Sequence, residues 1–179
     1  MSSEPVDLAI VGAGIIGLAT ALRYIAKHSG QSVLILERES GFAHHQTGRN
    51  SGVLHSGIYY APGSMKAELA VAGRSAMVDF CRERGIDHEV CGKVIVATRD
   101  DEIERLRALS GRAELNGLSA ELIDAGRLTE IEPHCNGIEA LYVPSTGIVS
   151  YSKVCEALRI EIEESGGSVR FDTSVLNCL

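Results

Sequence analysis

The sequence lacks a surplus of positive charge. Seventeen Lys and Arg stand against 24 Asp and Glu, a formal net charge of −7. A nucleic-acid binder carries the opposite imbalance, a basic face. No apolar run approaches the length of a membrane span. The opening MSSEPVD has no basic flank with an apolar stretch behind it, so no signal peptide is expected. RYIAKHSG lies inside a helical pattern and is not a transit peptide. Five cysteines, Cys81, Cys91, Cys135, Cys155 and Cys178, are odd in number and show no CxxC spacing. Free, mostly buried thiols in a reducing compartment are expected, and no metal site. There is no repeat, low-complexity segment or linker. What remains is an ordinary globular balance, 45% hydrophobic and 23% charged over 179 residues, enough to bury a core.

The chain opens with a β-α-β pattern. VDLAIVG is a short apolar run with a Gly stop, a buried strand. IIGLATALRYIAKHSG places Ile15, Leu18, Leu22 and Ile25 at helical spacing, with Gly30 as a C-terminal stop. SVLILE is a second buried strand. So short a crossover implies parallel strands and a right-handed connection.

The first β-α junction reads GAGIIG. Gly12 makes the tight turn, Gly14 lets backbone approach a pyrophosphate, and Gly17 lets helix and strand pack closely. The helix N-terminus presents free N–H groups and a positive dipole end to phosphates. The pattern follows a strand and opens a helix, which is the context it requires. Glu37 closes the second strand, where a carboxylate accepts bonds from ribose hydroxyls and repels a 2′-phosphate. The turn alone admits NAD or FAD. A nicotinamide enzyme would add another helix and strand soon after Glu37. Here residues 38–63 show little sustained period, and HQTGRNSGVLHSGIYY is rich in Gly, Ser, Thr and Asn. Such a loop suits FAD, whose ring edge needs polar partners and close backbone.

Beyond the loop, Ser64 is placed as an N-cap, with Leu69, Met77, Phe80 and Cys81 along one face of a helix ending at Gly85. KVIVAT, AELID and IEALYV follow as strands, DDEIERLRALSGRAELNG and SKVCEALRIEIEESGG as helices, and VRFDT and SVLNCL as short strands. The fold class expected is α/β: a Rossmann-like dinucleotide-binding domain with a parallel sheet, plus the beginning of an α+β substrate domain.

VDLAIVGAGIIGLATA, HQTGRNSGVLHSGIYYAPGSMKAELA, CGKVIVAT and PSTGIVSY together resemble the L-2-hydroxyglutarate oxidase/dehydrogenase family, within the wider group of FAD-dependent oxidases related to D-amino acid oxidase. The resemblance covers essentially the whole chain. Members are much longer, and they commonly carry His at the position of Arg49. An N-terminal fragment is therefore expected. Residues 1–85 would be the first part of the FAD-binding domain and 86–150 the start of the substrate domain. Residues 151–179 would be a return towards the FAD domain.

The resemblance implies FAD-dependent oxidation of L-2-hydroxyglutarate to 2-oxoglutarate by the full-length parent. A related amine or glycerol-3-phosphate oxidase is the alternative enzyme, and a non-catalytic nucleotide-binding fragment the alternative of another class. It implies an electron acceptor that is oxygen or a membrane quinone, and a location that is cytoplasmic or peripheral on the inner face of a membrane. The cofactor cradle expected comprises Gly12, Gly14, Ile15, Ile16, Gly17, Glu37, Arg38, His45, Gln46, Thr47, Asn50, Ser51 and Gly52. His55 is the candidate base, because an imidazole titrates near neutral pH; a hydrogen bond to flavin or backbone is its other reading. Arg49, Tyr59 and Tyr60 are the substrate-side candidates, although both tyrosines could simply pack. The adjacent His44 and His45 do not form a metal pair, since neighbours point differently on most backbones. Lys66 and Arg74 add local positive charge suited to a dicarboxylate, or are solvated surface cations.

Overall fold

The computed structural model describes residues 5–177. In chain order its elements are β1 (Leu8–Val11), α1 (Ile15–Lys27), β2 (Val33–Leu36), β3 (Val53–Leu54), α2 (Met65–Glu83), β4 (His88–Glu89), β5 (Lys93–Ala97), α3 (Asp100–Leu115), β6 (Glu121–Asp124), α4 (Ala125–Ile131), β7 (Glu139–Val143), β8 (Gly147–Val149), α5 (Tyr151–Glu164) and β9 (Ser168–Arg170). They form two compact units, Met1–Gly52 with Ser150–Leu179, and Val53–Val149.

The first unit is α/β. β1 and β2 run parallel, Leu8 beside Val33 through Val11 beside Leu36, and β9 joins β2 in parallel on its other side. The alternation of a strand explains the burial of β2, where Val33 and Ile35 are buried while Leu34 and Leu36 are only partly so. α1 and α5 pack on each other and close the core with Leu18, Ala21, Val154, Cys155, Leu158 and Ile162.

The second unit is α+β. β3 and β4 flank β8, antiparallel to it, and β5 and β6 flank β7 in the same way. β7 is apolar on both faces, because it is the central strand between two packed layers. Leu141 and Val143 join Ile58, Ala97, Leu106, Ala113 and Leu118 in one core, and Ala140 joins Ile123 and Leu128 in another. Asp124 begins α4 by accepting the Arg127 N–H at 2.8 Å. Ser64 begins α2 by accepting the Ala67 N–H at 3.2 Å, one orphan donor of the first turn satisfied. No helix among the described residues is long and apolar enough to cross a membrane.

Several expectations need correcting. Leu69 is 64% exposed; Cys81 is buried as expected, and Ala67 joins it on the buried face of α2. The small side chains win that face because α2 lies tight against the chain at Gly57, where a Cβ would come within 3.3 Å of Ala70 Cβ. α2 packs within the second compact unit, which opens at Val53. VRFDT pairs with β2 only over Val169 and Arg170. Asp172 adopts a left-handed φ of +51°, which ends the strand, and its N–H turns to the Glu39 carbonyl. SVLNCL shows no strand over residues 174–177, and residues 178–179, with Cys178, lie outside the described ones. The short strands β3, β4 and β8 and the helix α4 have no counterpart in the sequence reading.

Candidate functional site

The glycine turn is built by close approach. Gly12 takes φ +100°, a value an L side chain rarely adopts, and its N–H reaches the Leu36 carbonyl at 2.8 Å. A Cβ on Gly17 would lie 2.1 Å from the Gly12 carbonyl oxygen, so only glycine lets α1 start this close to β1. A Cβ on Gly14 would lie 3.1 Å from Thr47 Oγ1. The Leu18 N–H bonds the Gly14 carbonyl at 3.0 Å. The N–H groups of Gly14, Ile15, Ile16 and Gly17 thus precede the intrahelical ladder. Thr47 Oγ1 accepts the one on Ile15 at 3.1 Å. The Ile16 side chain is exposed.

Glu37 is the second part. It is buried, and both its oxygens are held by backbone: Oε2 accepts the Ala13 N–H at 2.7 Å and Oε1 the Glu39 N–H at 3.0 Å. Burial opposes its ionisation, but the N–H groups of Glu39, Ala13 and Arg38 outweigh that and hold the carboxyl below the ordinary 4.5. A carboxylate has about four lone-pair sites, so accepting capacity remains. Beside it, Glu39 Oε1 takes His45 Nε2 at 2.8 Å and Arg38 Nε at 3.0 Å. The His45 bond, with help from Arg38, lowers the Glu39 carboxyl. Val11, Gly12, Leu36, Glu37, Arg38, His45 and Thr173–Val175 line a cavity of about 450 Å³.

The loop between them is wound tightly on itself. Ala43 holds a left-handed φ of +60°, and a Cβ on Gly48 would lie 2.2 Å from its carbonyl oxygen. Asn50 staples the loop: Nδ2 donates to the Gln46 and Thr47 carbonyls at 3.0 and 2.7 Å, and Oδ1 accepts the Gly52 N–H at 2.7 Å. Gln46, Arg49, Asn50 and Ser51 are exposed.

His55, Tyr59 and Tyr60 lie in the second unit. His55 is exposed. The Gly57–Tyr60 turn closes with the Tyr60 N–H on the Gly57 carbonyl at 3.1 Å. Asn116 Nδ2 bridges the Gly57 and Tyr60 carbonyls at 3.4 and 3.1 Å, and Arg112 Nη1 donates to the Tyr59 carbonyl at 3.3 Å. Lys93 Nζ sits 4.3 Å from the centre of the Tyr59 ring and Lys66 Nζ 4.7 Å from that of Tyr60. Arg74 Nη1 instead donates to the Ser145 carbonyl at 2.8 Å. The structure therefore gathers the turn, Glu37, Arg38, His45 and Thr47 in one unit. It gives the tyrosine turn partners from β5 and α3 that sequence reasoning missed. Lys93, Arg112 and Asn116 lie more than thirty residues away in the chain, so no local pattern could announce them.

The DAO family model, described as FAD dependent oxidoreductase, matches residues 7–179. The chain is 44% identical over 169 residues, 94% of its length, to L-2-hydroxyglutarate dehydrogenase of Escherichia coli strain K12. It has the same identity over the same share to the mitochondrial L-2-hydroxyglutarate dehydrogenase of Homo sapiens. It spans 40% of the bacterial relative and 36% of the human one. Among solved structures, dithionite-reduced L-α-glycerophosphate oxidase from Mycoplasma pneumoniae with FAD bound matches 97% of this chain and 46% of that one, with TM-score 0.89 and 24% identity. Glycine oxidase from Geobacillus kaustophilus matches 95% of this chain and 47% of that one, with TM-score 0.83 and 24% identity. These two likenesses establish the fold.

Proposed function

Because the chain belongs to the DAO family of FAD dependent oxidoreductases, we propose that the protein carrying it oxidises L-2-hydroxyglutarate to 2-oxoglutarate with FAD as cofactor. The observation that carries the substrate is the likeness to L-2-hydroxyglutarate dehydrogenases along nearly the whole of this chain.

The residues present fit the cofactor. The uncapped N–H groups of Gly14, Ile16 and Gly17 at a helix start suit a pyrophosphate, and Gly14 keeps side-chain bulk away from it. The remaining lone pairs of Glu37, beside a cavity, suit ribose hydroxyls. Arg38 and His45, fixed through Glu39, border that cavity. Thr47 and Asn50 hold the loop that also presents Gln46, Ser51 and Gly52. FAD, when bound, supplies the two-electron acceptor for the hydride on the substrate α-carbon.

The chain's own residues orient the substrate and manage its proton. His55, exposed and free of hydrogen bonds to other described residues, accepts the hydroxyl proton. Arg49 offers an exposed cation to a carboxylate, and Tyr59 and Tyr60 wall the substrate. Oxygen or a membrane quinone takes the electrons onward, at a cytoplasmic or inner-face peripheral location. Incubating the purified protein with each enantiomer of 2-hydroxyglutarate and an artificial acceptor tests the reading. Formation of 2-oxoglutarate from the L form alone is expected; no 2-oxoglutarate from either form overturns it.

A further inference from the structure

We propose that Lys93, with Lys66 and Arg112 around the Tyr59–Tyr60 turn, forms the subsite for the non-reacting carboxylate of a small dicarboxylate substrate, an assignment that rests on the function proposed above.

The charge pattern is the first reason. Arg82, Arg99, Arg107, Arg127 and Arg159 each hold an acidic side chain within 4 Å. Among the described residues, Lys66, Lys93 and Arg112 hold none. Other cations, Arg74 among them, also have no carboxylate partner among the described residues; these three differ in gathering at one four-residue turn.

Burial is the second reason. Lys93 opens β5 and is partly buried, and removal from water depresses its ammonium below the ordinary 10.5. The Tyr59 ring 4.3 Å away offsets part of that cost through its π-face. A ring face uses one side of an ammonium that has three donors. A carboxylate satisfies the rest.

Rigidity is the third. Asn116 bridges two carbonyls of the turn and Arg112 holds a third, so the backbone that carries both rings is held before any ligand arrives. Tyr59 is 51% exposed, so the cluster opens to solvent. A second carboxylate at this place would separate a dicarboxylate from a 2-hydroxy acid with an apolar tail.

The test uses the FAD-loaded protein and two unreactive ligands: glutarate, with two carboxylates, and butyrate, with one. Isothermal titration calorimetry gives both affinities for the wild type, Lys93→Gln, Lys93→Arg and Lys66→Gln, each first checked for an unchanged melting temperature. Glutarate binding is expected to weaken about tenfold in Lys93→Gln, the size of one lost charge contact. It should recover in Lys93→Arg, while butyrate binding stays unchanged. The KM for L-2-hydroxyglutarate should rise in step, with kcat held. If Lys93→Gln melts early, Lys66→Gln carries the same expectation. Glutarate binding that ignores both substitutions overturns the subsite, as does an equal loss for butyrate. Inorganic phosphate that binds as tightly as glutarate would make the cluster a general anion site and overturn the dicarboxylate assignment. If glutarate binding depends on Lys93 but L-2-hydroxyglutarate is not oxidised, the subsite stands and the proposed function falls.

Discussion

The Ala13 N–H donates to Glu37 Oε2 at 2.7 Å across 24 residues of sequence. The acid at the end of β2 thus fixes the backbone of the glycine turn, and any ribose contact is added to that duty.

Glu37→Gln should therefore destabilise the fold even without cofactor. Its amide places a donor against one backbone donor, and losing a charge-assisted bond costs about 1.5–3 kcal/mol. The effect depends on pH. The folded carboxyl ionises below 4.5 and the unfolded one near it, so the unfolded chain binds more protons between the two values. The stability from Glu37 is complete above the unfolded value and fades as pH falls through the folded one. Urea melts of wild type and Glu37→Gln should differ most at pH 7 and converge below about pH 4.5. A gap independent of pH would contradict this.

Gly17→Ala and Gly14→Ala should separate folding from cofactor binding. At Gly17 the new methyl meets a backbone oxygen that cannot move away, so a loss of about 1–3 kcal/mol or more is expected. At Gly14 it meets Thr47 Oγ1 at 3.1 Å, which need yield only slightly while keeping its bond to the Ile15 N–H, so the stability loss should be smaller than at Gly17 while flavin absorbance falls. Thermal melting and an absorbance scan of each variant read the two effects.

Leu141→Ala tests the core of the second unit. Leu141 is fully buried on the central strand β7. Loss of about 2–5 kcal/mol is expected from the cavity left behind, read by urea unfolding.

The thiols should react selectively. Burial pushes the Cys155 thiol up to about 11 and raises Cys81 as well, whereas Cys91 is exposed. At pH 8 iodoacetamide should label Cys91 and spare Cys81 and Cys155 in the folded protein. Peptide mapping by mass spectrometry checks this, and rapid labelling of Cys155 would contradict its burial.

The parts legible in the sequence were those governed by local rules. The strand of residues 8–11, the glycine turn, the helix from Ile15 and the Ser64 cap each rest on neighbours a few positions apart, and the structure has all four. Leu69 was misplaced because α2 has apolar residues on several sides, and the choice of face depends on what Gly57 lets approach. β3, β4 and β8 are two or three residues long, too short for any period, and exist only because β8 supplies both partners. Asn50 was legible as a loop residue with polar capacity. That its capacity goes to the loop's own carbonyls follows from the winding set by Ala43 and Gly48.

Anaerobic mixing of the FAD-loaded protein with candidate substrates tests the proposed activity most directly. L-2-hydroxyglutarate should bleach the flavin absorbance within the time of turnover, while glycine, sarcosine and glycerol 3-phosphate leave it unchanged. Bleaching by any of those three, with none by L-2-hydroxyglutarate, would contradict it.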